Sequence, residues 1–178
     1  MDSLHGRTTS SKSTFAIDGE RPALIEPGVY DLVLIEYSTW LMFGRQPKVV
    51  LRFRVITYGD EFGKEVRKYY NATKLIRPYG KNGRFKVGFS SDLLRDFSRL
   101  HGKVSRLDRI PMTRFDDCII AGEIATAMQG HDQQPIPADL QYSVVRKLIA
   151  VTARGQGSKN VAPEPAPKPT PTRNGGRP

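Results

Sequence analysis

Residues 48 to 58, KVVLRFRVITY, alternate cleanly between two faces. Val49, Leu51, Phe53 and Val55 fall on one, and Val50, Arg52, Arg54 and Ile56 on the other. A period of two marks a half-buried strand, so the first set is expected in a core and the second at least half wet. Upstream, GVYDLVLIEY (28 to 37) is dense in β-branched and aromatic residues and opens after Pro27 and Gly28, as strands often do. Its LVLI core is apolar on both faces, which points to a buried subunit contact and hence a homo-oligomer. After the turn GDEFG (59 to 63), KEVRKYYNATKLI reads as a third strand. GRFKVGF (83 to 89) either extends it or adds a short strand beyond the loop RPYGKNG.

The period then changes. SSDLLRDFSRLHG sets Leu93, Leu94, Phe97 and Leu100 at helical spacing, with Ser90 or Ser91 as N-cap, Asp92 in the first turn and Gly102 just past the end. Two more strands follow, CIIAGEIATAM (118 to 128) and LQYSVVRKLIAV (140 to 151). Residues 1 to 22 are polar and Ser/Thr-rich, and read as a flexible arm. From 153 onward Pro alternates with small or charged residues, an extended basic tail expected to be disordered. Three strands, a helix and two strands over residues 23 to 152 satisfy the OB-fold, a five-stranded Greek-key barrel with one helix between strands three and four. Another small antiparallel sheet packed on one helix gives the same order.

Charge sharpens this reading. The chain of 178 residues has a formal net charge of +10, which favours a polyanionic partner. Residues 44 to 109 hold seventeen basic and six acidic side chains, while 1 to 43 hold three and six. Within this region, residues 64 to 86 set eight Lys or Arg and four aromatic residues against one acid, Glu65. Cations alone suit any nucleic acid. Rings interleaved with them suit a single strand, whose unstacked bases need flat apolar surfaces. The candidate binding residues are Trp40, Phe43, Arg45 and Lys48 in the loop after strand one; Arg52 and Arg54 on the wet face of strand two; Arg67, Lys68, Tyr69, Tyr70 and Lys74 along strand three; and Arg77, Tyr79, Lys81, Arg84 and Lys86 beyond it. Tyr69 and Tyr70 are adjacent, so one faces the core and the other solvent, and a five-residue turn leaves open which. Trp40 to Phe43 either continue strand one into the core or expose a stacking platform.

Other chemistries find little support. Cys118, the single cysteine, lies in an apolar run and is expected to be a small buried hydrophobe. His5, His101 and His131 are scattered and expected at the surface, with no metal site among them. The chain shows no Gly-rich phosphate loop and no nucleophile elbow, and Asp116 and Asp117 point opposite ways on a strand. The expectation is therefore a non-enzyme without cofactor, with no membrane span or signal peptide, working in the cytoplasm.

With PGVYDLVLIEY, KVVLRFRVI, KEVRKYYNA and SDLLRDFSRL in this order, residues 23 to 152 resemble the OB-fold single-stranded-DNA-binding proteins of bacteriophages and mobile elements. The resemblance implies sequence-tolerant binding and protection of single-stranded DNA during replication or recombination, alongside the proteins of those processes. The tail departs from the housekeeping bacterial members, whose acidic, Phe-ended tip recruits enzymes; here it ends TRNGGRP, without acid or aromatic. RNA binding and a protein-interaction module remain the alternatives.

Overall fold

The computed structural model describes residues 24–104, 110–130 and 133–155. The arm assigned to 1–22, His5, His131 and, of the tail assigned to 153–178, residues 156 onward lie outside the described residues, while Ala153 and Arg154, expected in that tail, belong to the last strand. The fold is mainly β. Five long strands form a ring, with one α-helix between the third and fourth. Among the described residues no helix is long and apolar enough to cross a membrane.

β1 (Gly28–Met42) is the element on which the ring turns. Its first half pairs with β7 (Cys118–Ala127), and from Leu32 onward it pairs with β2 (Gln46–Val55), both antiparallel. The register with β2 shifts between Leu34 and Glu36, leaving Ile35 as an extra residue. Such a bulge bends the strand, which lets one strand serve two neighbours. β3 (Glu65–Asn71) runs antiparallel to β2, and β8 (Tyr142–Arg154) antiparallel to β7. The alternation in β2 has the expected phase, with Val49, Leu51, Phe53 and Val55 all fully buried. The opposite face is drier than expected, because Val50 is buried there as well.

KEVRKYYNATKLI is not one strand. The ladder from β3 to β2 stops at Asn71, opposite Lys48, and Ala72 then donates its N–H to the Pro47 carbonyl at 2.9 Å as β2 runs out. The chain leaves the ring and forms a separate two-stranded hairpin from β4 (Lys74–Ile76) and β6 (Arg84–Lys86). Between them, the two residues of β5 (Gly80–Lys81) pair with β1 at Thr39 and Ser38.

The helix α1 (Asp92–His101) starts and stops as the sequence signals. Ser91 Oγ accepts the Leu94 N–H at 3.3 Å, and Gly102, at φ 81°, donates its N–H to the Ser98 carbonyl. Leu93, Phe97 and Leu100 are buried and Leu94 is half-buried. His101 corrects the surface expectation. Its ring packs 5.0 Å from that of Phe97 and 4.8 Å from that of Phe115, and its buried nitrogens have no hydrogen-bond partner among the described residues. Cys118 is buried, its Sγ within 3.4 Å of the Phe115 carbonyl, and burial pushes its thiol up from its ordinary value.

β3 and β8 close the ring, and they are parallel. They meet at a single register pair, Arg67 with Val144, so the β8 carbonyls beyond it have no strand partner on that side. Buried backbone acceptors need partners. Side chains supply them: Lys68 Nζ donates to the Arg146 carbonyl at 2.7 Å, and Arg99 donates to the Leu148 carbonyl. Asp96 on α1 ties these donors together. It accepts from Tyr70 Oη at 2.8 Å and from Arg99 at 2.7 Å, and it lies 3.7 Å from Lys68 Nζ.

Removing the Asp96 charge leaves two cations and a phenol short of their shared acceptor. Asp96→Ala is expected to destabilise the fold by about 3 kcal/mol in chemical denaturation, whereas Arg95→Gln, in an exposed pair with Asp92, changes it by no more than about 0.5 kcal/mol.

His101 sets a pH dependence. Burial, then the nearby Arg154 and Arg114, pull its pKa below the ordinary 6.5. Between the lowered value and 6.5 the unfolded chain binds a proton that the folded chain refuses, so stability present at neutral pH is lost as pH falls through that window. His101→Phe is expected to flatten the fall in thermal midpoint between about pH 7 and about pH 5.

Candidate nucleic-acid interface

Strand register decides which candidates share a surface. Pairs directly opposite in a ladder point to the same side, and the β2 core set fixes which side is inward. The outward positions are Glu36, Ser38 and Trp40 on β1; Lys48, Val50, Arg52 and Arg54 on β2; and Glu65, Arg67, Tyr69 and Asn71 on β3. They line up in cross-strand rows. Trp40 faces Lys48 and then Asn71; Ser38 faces Val50 and then Tyr69; Glu36 faces Arg52 and then Arg67. Two rings, Trp40 and Tyr69, thus stand on one face in neighbouring rows, Tyr69 sharing its row with the apolar Val50. Trp40 is 43% exposed and Tyr69 is half-buried.

Trp40 is a strand residue, not a loop residue. β1 continues to Met42, so the chain both extends strand one and exposes the platform. The hairpin tip that follows carries Phe43, 78% exposed, and the exposed Arg45. Phe43 has φ 51°. A bulky side chain in this left-handed region costs about 1–3 kcal/mol, so the turn holds an exposed ring where glycine would be the easier choice.

Two candidates leave the interface. Tyr70 is buried, its hydroxyl committed to Asp96, and burial together with that carboxylate holds the phenol well above its ordinary value. Lys68 is 8% exposed and points inward to the β3–β8 closure; burial pulls its ammonium below 10.5 against the opposing pull of Asp96. Both follow from the phase of β3. Val66, Lys68 and Tyr70 face inward, and Arg67 and Tyr69 outward.

The outward cations differ in how free they are. Arg52 pairs with Glu36 and Glu65, both at 3.0 Å, Arg54 with Glu65 at 3.2 Å, and Lys81 with Glu36 at 3.5 Å. Lys48 donates to the Asn71 side chain. Arg67 has no ion pair among the described residues and lines the hollow between Trp40 and Arg52. Arg77 lies 5.8 Å from the centroid of the Tyr79 ring, which is exposed. Lys74, Arg84 and Lys86 are exposed on the β4–β6 hairpin.

Tyr142 was not anticipated. It opens β8 at 44% exposure and, with Tyr69, Arg67 and Lys64, lines a cavity of about 420 Å³. Its position after the connection between the last two long strands was the available signal, since OB-type proteins use that loop for ligands. No group of three or more His, Cys, Asp or Glu among the described residues is placed to hold a metal ion. The chain matches no family model, no curated protein and no solved structure.

The two adjacent tyrosines are separable in stability. Tyr70→Phe is expected to cost about 2 kcal/mol in chemical denaturation, the worth of a hydrogen bond to a charged acceptor. Tyr69→Phe, whose hydroxyl has no partner among the described residues, is expected to stay within about 0.5 kcal/mol of the parent.

Proposed function

We propose that this chain binds single-stranded DNA with little sequence selectivity, on the outer face of β1, β2 and β3. One observation carries the reading: strand register brings Trp40 and Tyr69 to one face in neighbouring cross-strand rows, Tyr69 in the row holding Val50 and Trp40 in the next, with Lys48 and Arg67 beside them. Flat rings accept any base, and stacking is worth roughly 1–3 kcal/mol per base. The cations bring phosphates to the same surface. Duplex DNA hides its base faces and has no use for such a platform.

The scaffold supports the reading. A ring in the order β1, β2, β3, β8, β7, with α1 between its third and fourth strands, fits a five-stranded OB-type Greek-key barrel, which binds oligonucleotides on the face of its second and third strands. Phe43 and Arg45 extend the surface along the first hairpin, and Tyr142 extends it at the start of the last strand. Together with the resemblance to phage and mobile-element proteins, this supports a role in coating and protecting single strands during replication or recombination.

Trp40 is the only tryptophan and reports directly. Titration with dT oligomers is expected to quench its fluorescence, and a duplex of equal length at matched salt is expected to bind more weakly. Equal or tighter duplex binding overturns the proposal. Trp40→Leu and Tyr69→Leu, followed by anisotropy of labelled DNA, are expected to lose roughly 1–3 kcal/mol each. The slope of log affinity against log salt should stay unchanged, since stacking releases no counterions.

A further inference from the structure

Positive charge on the ring face is largely spent within the protein. Glu36 and Glu65 between them hold Arg52, Arg54 and Lys81. The β4–β6 hairpin is different. No Asp or Glu occurs between Glu65 and Asp92, and Lys74, Arg84 and Lys86 are exposed with no ion pair among the described residues. Lys74 and Lys86 are also direct register partners, so two ammonium groups project from opposed positions on the same side of a two-stranded ladder. Like charges in that relation repel and destabilise the pair. An anion seated between them reverses the sign.

The hairpin is fixed in position relative to the rings. Gly80 and Lys81 pair with Thr39 and Ser38, and the Gly80 N–H lies 3.3 Å from Thr39 Oγ1. Gly83 packs so closely on Thr39 that an added Cβ would collide with that oxygen. One cross-strand row therefore runs Tyr69, Val50, Ser38, Lys81. At about 4.8 Å per strand it spans roughly 14 Å. At its far end, Lys81, Arg84 and Lys86 stand on the hairpin side of a groove of about 920 Å³, whose other walls are β1 and residues 110–116 and include the carboxylates of Glu36 and Asp116.

We propose that the β4–β6 hairpin is a phosphate rail: bases stack on Trp40 and Tyr69, while the sugar–phosphate backbone of the same strand crosses Lys81 and lies along Lys74, Arg84 and Lys86, one phosphodiester seated between Lys74 and Lys86. This rests on the single-strand reading and divides its work between two surfaces. The ring face supplies stacking, and the hairpin supplies charge.

Lys74→Gln and Lys86→Gln, in the full chain, separate this from a merely solvated hairpin. Each is expected to flatten the dependence of log affinity for a dT oligomer on log salt by roughly 0.7 for each phosphate no longer neutralised, with a thermal midpoint equal to or above the parent's because the repulsion is gone. Lys74→Arg and Lys86→Arg are expected to keep the parent slope. Glutamine variants with the parent's slope and affinity overturn the rail while leaving the single-strand reading standing on the parent's own binding. A parent that binds no dT oligomer overturns both.

Discussion

The carboxylate of Asp96 sits where the fold has least backbone to hold it. A ring of five strands must close somewhere, and here it closes between parallel strands that share one register pair, Arg67 with Val144. Past that pair, the β8 carbonyls turn toward α1 and β3 without a ladder to meet them. Lys68 and Arg99 supply donors, and Asp96 balances both while taking the Tyr70 hydroxyl. Each member is tolerable in a half-dry place only because the others are there. Breaking the set would remove the polar ties of α1 to both strands at once, leaving only its apolar face, Leu93, Phe97 and Leu100, in the core.

That closure explains why a basic, aromatic run in the sequence serves two purposes. Alternate residues of β3 go to different jobs. Val66, Lys68 and Tyr70 build the inside of the ring, and Arg67 and Tyr69 face solvent. The periodicity of β2 was legible because its inward set is all apolar. In β3 the inward set includes a lysine and a tyrosine, so composition hides the phase, and only pairing with β2 reveals it. Val66 two residues before Lys68 was the one local hint. The helix was legible to within a residue, its N-cap left between Ser90 and Ser91 and its end at Gly102, because its caps depend on neighbours in sequence.

The end of β3 was not legible, because it is set by its partner. Ala72 and Thr73 have nothing in their own chemistry to stop a strand; β2 simply runs out at Gln46. Nor could net charge show which cations are free. Glu36 and Glu65 are far apart in sequence, yet both reach Arg52 across their respective ladders. The excess counted along the chain and the excess offered to a ligand are different quantities. Register converts one into the other: on the ring face Arg67 and Lys48 stay without an ion pair among the described residues, and Lys74, Arg84 and Lys86 add the free charge of the β4–β6 hairpin.

The close seat of Gly83 on Thr39 has a kinetic meaning. A hairpin carrying several long cations would ordinarily sample many positions, and a ligand would have to freeze it on arrival. This one is already clamped to β1 through the pairing at Ser38 and Thr39 and by a contact that leaves no room for a methyl group. Little ordering entropy is left to lose on association. For the single strand proposed above, encounter would then be limited by diffusion and electrostatic steering, with no wait for the hairpin to close.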